Sequence, residues 1–95
     1  MMELQPGQLV RSLAGRDKGK HYLVLRELDH KHVLLVDGRI RSVNRPKKKN
    51  KAHLQHYERR AQPGEPFDSE RINDNQVIEF LKQLEPKSGD PEKEV

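Results

Sequence analysis

Apolar residues come in short bursts through the first half of the chain, and the bursts read as strands. Gln8-Leu9-Val10-Arg11-Ser12-Leu13 follows Pro6-Gly7 and predicts a first strand, with Pro and Gly marking the entry. A hydrophilic loop, Ala14 to Lys20, separates it from a second strand, His21 to Leu28, rich in aromatic and aliphatic residues. Helix is the alternative for 21–28, but the turns on either side cap it at eight residues, below the usual helix length. After Asp29-His30-Lys31, a third strand runs from His32 to Val36. Asp37-Gly38 between apolar runs is a hairpin signal, since both turn positions favour positive φ, and it predicts a fourth strand over Arg39 to Val43. A last candidate strand lies near Ala52-His53-Leu54-Gln55. Strands two and three lack clean alternation, the pattern of segments partly covered on both faces.

Beyond residue 60 the texture changes. Gln62-Pro63-Gly64-Glu65-Pro66 reads as linker. Asn73-Asp74-Asn75 offers N-caps ahead of Val77, Ile78, Leu81 and Leu84, which fall on one helical stripe with Phe80 at its flank. Pro86 ends that helix. The expected fold class is therefore mainly β: a small β-barrel over 6–58, a linker over 59–72, one amphipathic helix over 73–85 packing on or near the barrel, and a disordered tail over 86–95.

Composition narrows the function. The 95 residues hold 32% hydrophobic and 36% charged positions, so one small core is all they can fill. With no cysteine there is no disulfide, thiolate nucleophile or thiolate metal site. No apolar run approaches the ~20 residues of a membrane span, and Met1 to Gly7 lacks a signal-peptide pattern. A cytoplasmic protein without a membrane association is expected. The net charge of +4 is unevenly spread: residues 1–60 carry 15 Lys/Arg against 6 Asp/Glu, and residues 61–95 carry 4 against 9. A +9 barrel joined to a −5 appendage points to a polyanionic partner.

Two segments concentrate the cations. Arg45-Pro46-Lys47-Lys48-Lys49-Asn50-Lys51 holds five in seven residues, read as a loop fixed at both ends whose self-repulsion a polyphosphate would relieve. Its composition also suits a nuclear localisation signal. Gly15-Arg16-Asp17-Lys18-Gly19-Lys20 pairs glycine freedom with three cations. It is not a nucleotide-binding P-loop: the glycine spacing is one residue short, His21 stands where Ser or Thr belongs, and a strand follows where a helix is required. With aromatics limited to Tyr22, Tyr57, Phe67 and Phe80, binding should be directed at backbone phosphates and shape, as in structured RNA. His53-x-x-His56 and His30-x-His32 have chelating spacings but no third ligand, so no metal or other cofactor is expected. Ser12, Ser42 and Ser69 have no nucleophile setting, and the reading is non-enzymatic.

Pro6-Gly7-Gln8-Leu9-Val10-Arg11, Ala14 to Lys20 and Tyr22-Leu23-Val24-Leu25 together resemble a KOW motif. Val33 through Asp37-Gly38 to Val43, followed by Arg45-Pro46-Lys47-Lys48-Lys49-Asn50, extends the similarity over residues 6–56 to the large-subunit ribosomal protein family known as fourteen-e and its small bacterial relatives. The resemblance implies an SH3-like barrel of KOW type that contacts ribosomal or other structured RNA, in translation or ribosome function. The RNA-facing residues it implies are Gly15, Arg16, Asp17, Lys18, Gly19 and Lys20, then Arg45, Lys47, Lys48, Lys49, Lys51 and His53. Tyr22-Leu23 replaces the Gly-Val step common in such motifs, and a short acidic region stands in place of a long basic extension. Those departures favour a peripheral or regulatory role. The alternative is a protein-interaction barrel of the transcription-elongation KOW type, engaging an acidic protein surface through the barrel or the C-terminal helix.

Overall fold

A computed structural model describes residues 4–60 and 70–84. The chain forms five strands, β1 (Gln8–Ser12), β2 (His21–Glu27), β3 (His32–Val36), β4 (Lys47–Asn50) and β5 (Leu54–Arg60), followed by one helix, α1 (Asp74–Leu84). A single 3-10 turn, Lys51–His53, joins β4 to β5. All pairings are antiparallel and the strand order is β4-β3-β2-β1-β5. The architecture is thus mainly β, a curled half-barrel with one C-terminal helix, consistent with an SH3-like fold. The expected tail over 86–95 and the linker motif at 62–66 lie outside the described residues.

The missing alternation in β2 has a direct explanation: both faces of the sheet are buried. Tyr22 and Val24 point to one side, where they pack with Leu4, Val10, Val33, Leu35 and Leu54. Leu23 and Leu25 point to the other, where Leu9, Val36 and Tyr57 meet Ile72, Val77 and Leu81. Period-two geometry is intact, but Tyr22 to Leu25 are all buried because each side has its own core. Register shifts between Val24 and Arg26, and between Gln8 and Val10, mark irregularities of the bulge type that strengthen local twist and let a short sheet curl.

α1 covers the second of those faces. Asn73 is its N-cap: the side-chain oxygen accepts from the backbone N–H of Gln76, and the Gln76 side chain accepts from Asn73 N–H. This reciprocal box satisfies two donors at the helix start. Val77 and Leu81 are buried as the stripe predicts, Ile78 is half-buried, and Phe80 and Leu84 pack partly buried against the same cluster. Among the described residues no helix is long and apolar enough to cross a membrane.

Two sequence expectations are corrected. Arg39 to Val43 is not a strand. The Asp37 carboxylate accepts the backbone N–H groups of Arg39 and Arg41, and Asp74 accepts that of Val43. Donors that a strand would spend on a ladder are taken by side chains instead. The chain turns again at Ser42 to Arg45 before pairing. The lysine run is not a loop either: Lys47 to Asn50 is the strand β4, paired with β3 through Leu35–Lys47, Leu34–Lys48, Val33–Lys49 and His32–Asn50. An edge strand tolerates lysines because one backbone side stays open to water and the long side chains clear the sheet.

Candidate nucleic-acid interface

The two basic segments, far apart in sequence, meet around one carboxylate. Strand alternation places Lys47 and Lys49 on the same face as Val33 and Leu35. From there Lys47 Nζ lies 2.9 Å from Asp17 Oδ2 and Lys49 Nζ 3.3 Å from Asp17 Oδ1. Lys49 also donates to the carbonyl of Ala14 at 2.9 Å. β2 and β3 stand between β4 and β1 in the sheet, so these contacts need it to curl toward this face. The half-barrel is closed here by side chains in place of a backbone ladder.

Asp17 is correspondingly turned inward, its side chain 11% exposed. It also accepts from Ser12 Oγ and Tyr22 Oη, each at 2.8 Å. Burial opposes its ionisation, but the hydrogen bonds from Lys47, Tyr22, Ser12 and Lys49 outweigh that and hold its carboxyl far below the usual range. The same contacts act in reverse on Tyr22: burial first, then the Asp17 partner, push its phenol up. The loop between β1 and β2 is shaped by its glycines, since Gly15 and Gly19 adopt φ of 85° and 92°. Gly19 N–H donates to Ser12 carbonyl, and Lys20 N–H to that of Asp17.

A second buried carboxylate holds the far end of that loop. Asp37, 6% exposed at its side chain, pairs with Lys20 Nζ and receives the two turn N–H groups described above. Burial raises its pKa and the Lys20 and backbone donors lower it, the donors prevailing. Asp17 therefore ties the loop to β4, and Asp37 ties it to the turn after β3.

The candidate cations divide into two sets. Lys20, Lys47, Lys49 and Lys51 are in ion pairs, Lys51 with Glu27. Arg16, Lys18, Arg45 and Lys48 are exposed, and no ion pair joins them to an acid among the described residues. Lys48 points to the face of β4 opposite Lys47 and Lys49, so the positive charge wraps the strand's edge. Gly15 and His53 are also exposed, and the His53 carbonyl accepts from Leu13 N–H, bringing the 3-10 turn against the end of β1.

Sequence reasoning missed the role of Asp37 and the position of Arg39, whose backbone is locked by that carboxylate. Asp-Gly read as a hairpin disguised both. Tyr22 and Tyr57 offer no open stacking surface: both are buried, and Tyr57 Oη is hydrogen-bonded to His21 Nε2 at 3.2 Å. Burial, with Arg11 nearby, lowers the pKa of His21. Among the described residues no group of three His, Asp or Glu could hold a metal ion. No family model matches the chain, and no curated protein matches it.

Proposed function

We propose that the protein is a non-enzymatic RNA-binding module of KOW type that grips structured RNA, ribosomal RNA foremost, by its phosphates, acting in translation in the cytoplasm. The observation that carries this reading is the division of the cations around Asp17. Lys47 and Lys49 are consumed in holding the β1–β2 loop against β4. Arg16, Lys18, Arg45 and Lys48, in the same two segments, are left exposed, with no acidic partner among the described residues. A built scaffold that spends two lysines to present four other cations suits a phosphate backbone better than a solvated charge run. Asp17 acts in it as a positioning residue and not as an RNA contact.

If those four reach phosphates, the logarithm of affinity for a folded RNA should fall with the logarithm of salt concentration with a slope of about −3. Arg16→Ala with Lys18→Ala should flatten the slope by about one unit per residue. An unchanged slope in a folded double variant removes the loop from the interface. A partner that survives nuclease treatment would instead support the protein-interaction reading.

A further inference from the structure

A groove runs between the sheet and α1, and of the two basic segments only Lys20 reaches it. Ile78 and Leu81 of α1 provide its apolar lining, and Lys20, His21, Asp37 and Arg39 line it with Lys82, around a volume of about 210 Å3. Its charge is unbalanced. The Asp37 carboxylate is matched by Lys20 and two backbone donors. Among the described residues Lys82 makes only a 3.8 Å contact with Glu79 on the exposed helix surface. Arg39 is exposed and has no acidic partner among the described residues. Next to Arg39, Ile40 stands 78% exposed, on a turn that cannot sag: Asp37 holds the N–H groups on both sides of Ile40, and Gly38 lies against the start of α1.

We infer that this groove receives one unstacked nucleotide of the bound RNA, its base resting on Ile78 and Leu81 and its phosphates lying between Arg39 and Lys82. The inference rests on the RNA-binding reading above and adds a site to it. Four observations favour this occupant. The volume is smaller than that of ordinary drug-sized sites and suits a single base-sized group. An apolar surface under a cationic rim matches a nucleotide, which joins a flat, weakly polar ring to an anion. With Tyr22 and Tyr57 buried, the groove offers a base the aliphatic side chains of Ile78 and Leu81 beside the His21 ring. The groove is also continuous with the phosphate-binding loop, because Lys20 belongs to both. Ile40, at the lip, would cover the edge of the inserted base.

The test compares a fully paired RNA hairpin with the same hairpin carrying one bulged nucleotide, bound by the full chain. The wild type should prefer the bulged hairpin on the order of tenfold, the scale of one stacked base. Arg39→Ala with Lys82→Ala, both exposed positions, should abolish the preference while the paired hairpin is still bound; Ile40→Ser should reduce it. Equal affinity of the wild type for the two hairpins, or a preference that persists in the folded double variant, overturns the groove site and leaves the phosphate interface standing. Failure to bind either hairpin overturns both. Nuclear magnetic resonance shifts at groove residues with a glutamate-rich peptide, and none with the bulged hairpin, would assign the groove to a protein partner and overturn the inference.

Discussion

At Asp17 one carboxylate carries four hydrogen-bonded partners in a site its own burial makes unfavourable for charge. Removing the charge leaves Lys47 and Lys49 facing each other without an anion, the case in which breaking a buried pair is costly. Asp17→Asn should therefore lower the unfolding free energy by about 2 kcal/mol, read from a denaturant midpoint. The pH dependence follows from the sign of the shift. Asp17 and Asp37 both have folded pKa values depressed below the ordinary 3.8. Their stabilisation is complete above that value and is withdrawn as pH falls below it toward the folded values. Acid unfolding should thus be less steep in Asp17→Asn than in the wild type, because the Asp17 share is gone while that of Asp37 remains. A parallel acid transition in the two proteins would deny Asp17 this role.

Among the elements, α1 and the turn before β4 depend on each other. Asp74, the first helical residue, accepts the N–H of Val43, and Gly38 faces the first turn of the helix. A Cβ at Gly38 would lie 2.6 Å from the Asp74 carbonyl oxygen and 2.8 Å from Ile78 Cγ1, at a φ of +80°. Both the backbone conformation and the space exclude a side chain. Gly38→Ala should cost about 2–3 kcal/mol and loosen α1 from the sheet, seen as faster amide exchange in the helix. Gly19 provides the contrast: it also has positive φ, but a Cβ there would meet nothing within 4 Å, so Gly19→Ala should cost less, about 1 kcal/mol. Helix position and type were legible in the stripe of Val77, Ile78, Leu81 and Leu84 and in the Asn73 cap. The fourth strand was not legible, because four residues reading Lys-Lys-Lys-Asn carry no β signal of their own. β3 recruits them by presenting an open edge.

At the scale of the molecule, the described residues form a sheet sandwiched between two small cores, one inside the curl and one under α1. The second core draws its cover from Ile72, Val77 and Leu81, so the strands and a helix far from them in sequence stabilise one another. An eleven-residue helix has little stability alone, and a sheet with Leu9, Leu23, Leu25 and Val36 bared would expose one continuous apolar face. A chain ending at Glu70 should therefore lose its cooperative thermal transition and aggregate. A sharp transition retained by that shortened chain would show that the half-barrel is self-sufficient.

By itself the sequence determined the mainly β class, the places of β1, β2 and β3, the helix, and the concentration of cations in two segments. These are consequences of local pattern: periodicity, turn residues and charge runs act over a few positions and need no partner. Tertiary structure alone decided which residues pair across the molecule. It made a strand of the lysine run, spent the donors of Arg39, Arg41 and Val43 on Asp37 and Asp74, and divided the basic residues into those that bind the protein and those that face outward. The physical reason is that a carboxylate or an open strand edge selects its partners by proximity and burial, and both exist only once the sheet has curled.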